Sequence, residues 1–145
     1  MKTLRSALAA LGLRRTDRDK PVISIDDPGL QVVVWSYDDT EAASTALARA
    51  ADWNPDDPAV LRHHLALPGD VVDTARALLA SDEWTLRTGG RGDDLSVSGL
   101  TPLVALRVQR LDALHCSQET SRMAGLAQRH GGETFGWDAL QPRAE

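Results

Sequence analysis

The 145-residue chain predicts an α+β domain of the ferredoxin-like kind, an antiparallel sheet with helices on one face, and three features predict it. From Leu61 onward the periodicities run strand, helix, strand, strand, helix, strand, the order in which two helices cover one side of an antiparallel sheet. The last helical run stops abruptly at His130-Gly131-Gly132, and a returning strand follows in Glu133-Thr134-Phe135-Gly136-Trp137-Asp138. A further strand and helix between Val22 and Ala51 precede the six elements and read as an extension packed on the core.

Each element has its own warrant. Val22, Ile23 and Ile25 form a short apolar stretch closed by the turn signal Asp27-Pro28-Gly29. Gln31–Ser36 is β-branched and aromatic, as strands are. Asp38-Asp39-Thr40-Glu41 resembles a capping box, which starts a helix running to about Ala51 and burying Ala42, Ala43, Ala46, Leu47 and Ala50. Asn54-Pro55-Asp56-Asp57-Pro58 interrupts the pattern and marks a linker. Leu61, His63, Leu65 and Leu67 alternate with Arg62, His64 and Ala66, the pattern of a half-buried strand ended by Pro68-Gly69. Val71, Val72, Ala75, Leu78 and Leu79 form the apolar stripe of a helix from about Asp70 to Ser81, and Trp84 leads into the short strand Thr85–Arg87. Thr88 to Ser98 is polar and glycine-rich, a mobile hairpin loop. From Leu103 to Leu111, Val104, Leu106 and Val108 alternate with Ala105, Arg107 and Gln109, so one face of that strand is expected to be wet. Ser117 can cap the last helix, Met123, Leu126, Ala127 and His130 share one of its faces, and Gly131 supplies the left-handed residue that closes it.

Composition narrows the function classes. Residues 1–20 carry Lys2, Arg5, Arg14, Arg15, Arg18 and Lys20 against Asp17 and Asp19, a surplus of four, so the remaining 125 residues hold −9 of the chain's net −5. An acidic body disfavours direct binding of nucleic acid, which needs clustered Lys and Arg, and favours basic protein partners. The apolar run Ala7–Leu11 is too short to span a bilayer. Cys116 is the only cysteine, so no internal disulfide forms, which suits a reducing cytoplasm.

No catalytic constellation is read from the residues. His63 and His64 are strand neighbours and point to opposite faces, so they lack the same-face spacing that metal ligands need. Cys116 reads as a buried small apolar group, with a thiol-dependent enzyme as the remote alternative. The pairs Asp26-Asp27, Asp38-Asp39, Asp56-Asp57 and Asp93-Asp94 sit beside turns, where Asp bonds locally. Gly89-Gly90-Arg91-Gly92 lacks the lysine, hydroxyl and helix of a phosphate loop. Neither cofactor nor metal is called for. The four tryptophans stand against one Phe and one Tyr, and Trp84 and Trp137 lie at element ends, as core plugs or interface anchors.

The phrase His130-Gly131-Gly132-Glu133-Thr134-Phe135-Gly136-Trp137-Asp138, following a helix, resembles the closing signature of the type B regulators of ribonuclease E activity. Phe135 stands where that signature usually has Asp after Tyr. The resemblance continues into Arg62–Pro68, which looks like the family's first core strand, and spans roughly Leu61 to Leu140. With the regulator-like domain at 59–142, residues 1–20 read as a flexible basic segment and 21–58 as a strand–helix extension packed on the core. The resemblance implies a cytoplasmic, non-enzymatic regulator that inhibits an endoribonuclease by protein contact and so alters RNA turnover. A basic, weakly ordered segment of the nuclease scaffold is then the expected partner. Glu133, Trp137 and Asp138, with Asp70 and Asp73 chosen for charge, are the candidate contacts; Gly131, Gly132, Gly136 and Trp84 are candidate structural positions. The alternative is a ligand-sensing module that pairs its sheets as a homodimer through Leu103–Leu111 and binds a small molecule at the junction.

Overall fold

The computed structural model describes residues 22–95 and 99–143; the basic segment 1–20 and the tip of the glycine-rich loop lie outside the described residues. The elements are β1 (Leu30–Ser36), α1 (Ala43–Arg49), β2 (Pro58–Pro68), a 3₁₀ turn (Gly69–Val71), α2 (Val72–Ala80), β3 (Thr85–Thr88), a single helical turn (Gly92–Leu95), β4 (Leu100–Arg110), α3 (Ala113–Arg129) and β5 (Glu133–Pro142). The five strands form one antiparallel sheet in the order β1-β5-β2-β4-β3. The architecture is α+β.

All three helices pack into one core with the same side of the sheet. Ala46 and Leu47 of α1, Ala75 and Leu79 of α2, and Cys116, Met123 and Leu126 of α3 share that cluster with Leu61, Leu65, Leu67, Leu103, Ala105, Trp137 and Ala139. The opposite side is covered too, by a smaller cluster in which Ile23, Ile25, Leu30 and Leu140 pack on Val60, Val104 and Leu106. The segment before β1 is therefore a cover rather than a strand.

That second cover corrects two strand readings. β2 is buried nearly throughout instead of half-buried, because Arg62, His64 and Ala66 lie under their own neighbours on the far side. In β4 the two faces exchange roles. Leu103 and Ala105 meet the helices, whereas Val104 and Leu106 lie beneath Ile23 and Ile25. Only the end of the strand is wet, with Val108 37% exposed. The strand expected to pair sheets is thus central, flanked by β2 and β3.

Helix boundaries shift for local reasons. α1 starts at Ala43 with no side-chain cap, because Asp38 turns back on Thr40 and Glu41 reaches Arg49 and Ser36 instead. Ala42 is accordingly exposed and Ala50 only half-buried. α2 begins after the 3₁₀ turn, and Leu78, assigned to its apolar stripe, is 45% exposed. Glu83 adopts φ 69° so that the Trp84 N–H can bond the Leu79 carbonyl, ending the helix without a glycine. α3 starts at Ala113, capped by Asp112 accepting from the His115 N–H, so Ser117 lies inside the helix and Cys116 in its first turn.

The end of α3 and the start of β5 follow the sequence closely. The Gly132 N–H bonds the Ala127 carbonyl at 2.7 Å and Gly131 takes φ +78°, the two parts of a left-handed helix stop. Gly132 also crosses so near β2 that a Cβ would lie 2.2 Å from the Ala66 carbonyl oxygen. Further along, β5 carries a bulge: His63 pairs with Trp137 but Leu65 with Thr134, so three residues of β5 span two of β2. Gly136 sits in the bulge at φ +91°, where a Cβ would lie 2.4 Å from the Ser36 carbonyl oxygen.

Gly136→Ala is expected to lower the unfolding free energy by roughly 2–4 kcal/mol, since it adds both a left-handed strain and a backbone clash. Gly125→Ala, within α3, places its Cβ against only the mobile end of Arg129 and is expected to raise stability by roughly 0.5–1 kcal/mol. Urea unfolding of the two variants measures both.

Candidate functional site

The densest arrangement of charged groups surrounds Asp138, on the side of the sheet away from the helices. Asp138 and Arg62 face one another across β5 and β2, and His64 follows two residues along β2 on the same face. Arg62 donates Nε to Oδ1 at 2.6 Å and an η nitrogen to Oδ2 at 2.8 Å. His64 Nε2 lies 3.1 Å from Oδ2, and the Tyr37 hydroxyl donates to the same oxygen at 2.6 Å. The Arg91 N–H donates to His64 Nδ1, which makes Nδ1 the acceptor and Nε2 the protonated nitrogen. Arg91 then lays its guanidinium over the Tyr37 ring, 3.7 Å from the centroid, and donates Nε to the Phe135 carbonyl. The glycine-rich segment read as a mobile loop is, at Arg91, part of this network.

Electrostatics make the network a lock. Burial, the largest single effect on Asp138, pushes its carboxyl up, but the bonds from His64 and Arg62 and the charge of Arg62 outweigh it and hold the group at about 2. Burial and the bond to Asp138 push the Tyr37 hydroxyl up to about 12. An ionised carboxylate with four donors has little basicity left, and a phenol donating to it keeps its proton.

The helix side of the sheet holds a second polar group. Glu119 is buried, accepts from Arg107 and from Gln109, and is raised by burial against the opposing effect of those two partners. Arg107 also stacks on Trp84, 4.2 Å from the ring centroid. His63 meets the same indole edge-on with its centroid 5.4 Å away, and its Nε2 is buried without a hydrogen-bond partner among the described residues. Burial pushes His63 down to about 3, so the imidazole is neutral at ordinary pH. Burial likewise pushes the Cys116 thiol up to about 12, away from the thiolate a nucleophile requires. Among the described residues no group of three His, Cys, Asp or Glu side chains is placed to hold a metal.

The expected contact residues divide into two sets. Trp137 is buried in the main core at 3% exposure, and Asp138 is fully buried in its network, so neither presents a surface to a partner. The bulge causes this correction: it sets Trp137 opposite His63 toward the helices and Asp138 opposite Arg62 on the covered far face. Glu133, Asp70 and Asp73 are exposed. The register Ala66↔Glu133 puts Glu133 at the end of β2 from which the chain enters the turn holding Asp70. Asp73 accepts from Arg76 at 2.9 Å. Trp84 is buried in the main core, and Gly131, Gly132 and Gly136 hold the left-handed or close-approach backbone positions described above. The Asp138 network was missed as a unit; its signal was Arg62 and His64 at two-residue spacing on a supposedly wet face.

No family model matches the chain, and neither a curated protein nor a solved structure matches it significantly.

Asp138→Asn is expected to cost about 3–5 kcal/mol, because it strands Arg62 beside a neutral group, and Tyr37→Phe about 1 kcal/mol. The pH profile has two acid limbs. His63, lowered in the folded state, contributes stability that is whole above about pH 6.5 and lost as pH falls toward 3. Asp138, lowered likewise, contributes roughly 2 kcal/mol that is whole above about pH 4 and lost as pH falls toward 2. Tyr37, raised, adds stability that is whole below about pH 10 and lost as pH rises through 12. Cys116, raised from 9.0 to about 12, likewise loses its contribution above about pH 9, so urea midpoints should plateau between about pH 6.5 and 9, and His63→Phe should flatten the limb between about pH 6.5 and 4.

Proposed function

We propose that this chain is a non-enzymatic regulator, similar to the type B regulators of ribonuclease E activity, that docks an acidic surface on a basic segment of an endoribonuclease scaffold and so modulates RNA turnover. The observation that carries the reading is the structural necessity of the motif behind the resemblance. Gly131 closes α3, Gly132 and Gly136 pass within Cβ-excluding distance of backbone, Trp137 plugs the core and Asp138 anchors the far face. A motif of that kind specifies a scaffold, so a resemblance in it supports a shared scaffold. The order of β5, β2, β4 and β3, with α2 and α3 between them in sequence, supports a ferredoxin-like core with β1 and α1 added outside β5.

With Trp137 and Asp138 internal, the acidic end formed by Glu133, Asp70 and Asp73 is the docking surface in this reading. Exposed carboxylates steer a basic segment electrostatically, and such attraction is screened by salt. Anisotropy of a labelled ribonuclease E scaffold segment, titrated with the full chain, tests this directly. The expected result is saturable binding at low salt that weakens at moderate salt and falls about tenfold in the triple variant Asp70→Lys, Asp73→Lys, Glu133→Lys. Absence of a complex at low salt, or an unchanged affinity in the triple variant, would refute the reading.

A further inference from the structure

On the helix side of the sheet, the segment leading into α1 and the middle of α3 diverge above His63 and Trp137, leaving a pocket of about 290 Å³. Three features give it a chemistry. Ser117, Thr120 and Ser121, at i, i+3 and i+4, present a hydroxyl stripe on one wall; Thr120 bonds the Cys116 carbonyl, while Ser117 and Ser121 bond nothing among the described residues. Asp38, Asp39 and Glu41 line the other wall, and no Lys or Arg is among the lining residues. Asp38 is engaged by Thr40 and Glu41 by Arg49, which leaves Asp39, exposed and without a partner among the described residues. The His63 imidazole, 3% exposed, is part of the pocket wall, and its Nε2 has no hydrogen-bond partner among the described residues. A buried polar atom left unpaired costs free energy, and a wall residue that carries one is not fully satisfied by packing.

We propose that this pocket binds a small organic cation, an amine or guanidinium on a short apolar stem, held by Asp39, by the Ser117 and Ser121 hydroxyls and by the His63 imidazole. Such a ligand offers only donors at its head, and the wall offers acceptors: a carboxylate, two hydroxyl oxygens and a neutral ring nitrogen. Met123 and Trp137, which also line the pocket, supply apolar surface for the stem. An anionic ligand would face carboxylates with no cation to receive it. The proposal is independent of docking at Glu133, since it concerns other residues.

The test uses the full chain and agmatine as probe, with butyrate as the anionic control, followed by amide resonances and calorimetry. Saturable agmatine binding that shifts the amides of Ser117, Ser121 and Thr134, with no response to butyrate, is the expected result. Asp39→Asn, a surface change, is expected to weaken binding about two- to fivefold. His63→Phe, checked for folding by tryptophan fluorescence and thermal melting, is expected to weaken it about tenfold. If His63→Phe does not fold, Asp39→Asn and the agmatine-to-butyrate comparison still decide. No saturable shift, equal response to butyrate, or wild-type affinity in Asp39→Asn would overturn the proposal.

Discussion

A carboxylate withdrawn from water must find donors for its lone pairs or give up its charge, and the far side of this sheet is organised around one carboxylate that does the former. Asp138 draws its donors from β2 and from the chain leaving β1. Because Arg62 lies directly opposite it, the ion pair sets β5 against β2 in a single register. A slip of one residue would turn Asp138 toward the apolar core and Trp137 toward the charges, an outcome costly at both positions. His64 extends the constraint, since its second nitrogen accepts from the Arg91 N–H and thereby fixes the glycine-rich segment against the sheet.

The helix side obeys the same rule with different means. Trp84 sits between the His63 ring edge and the Arg107 guanidinium, and Arg107 is tied to Glu119 of α3. Polar groups are thus carried into a largely apolar interior where β4 meets α3. His63 is the exception, a neutral imidazole with one nitrogen unmatched beside a pocket walled by hydroxyls and carboxylates. Its unpaired nitrogen separates a packing role from a recognition role more sharply than any motif in the chain.

In the docking reading, function and fold fall to different residues. Within the motif that resembles the ribonuclease E regulators, Trp137 and Asp138 are buried, and Gly131, Gly132 and Gly136 are explained by the backbone path they permit. Surface acids carry the docking reading because they have no such duty: Glu133 and Asp70 are exposed and serve no buried contact. The edge strand β1 is also guarded. A bulge interrupts it at Val33, and Arg49 covers the Trp35 carbonyl, two devices that hinder a further strand from adding there.

What the sequence determined by itself is what short-range physics decides. The glycine stop of α3, the apolar stripe of Met123, Leu126 and Ala127, the strands β1, β2 and β5, and the α+β class follow from periodicity, turn chemistry and left-handed glycine, all of which act within a few residues. Glu83 escaped notice because a non-glycine residue took the left-handed position under tertiary support. Only the tertiary structure decided which face of β4 meets the helices, since both of its faces are apolar and the choice depends on Ile23 and Ile25, some eighty residues away. Likewise, Asp138 lies 101 residues from Tyr37, 76 from Arg62 and 74 from His64. A carboxylate beside a turn and one buried in a four-donor network are the same letter in a sequence; the sheet register that brings those donors together is a property of the whole chain.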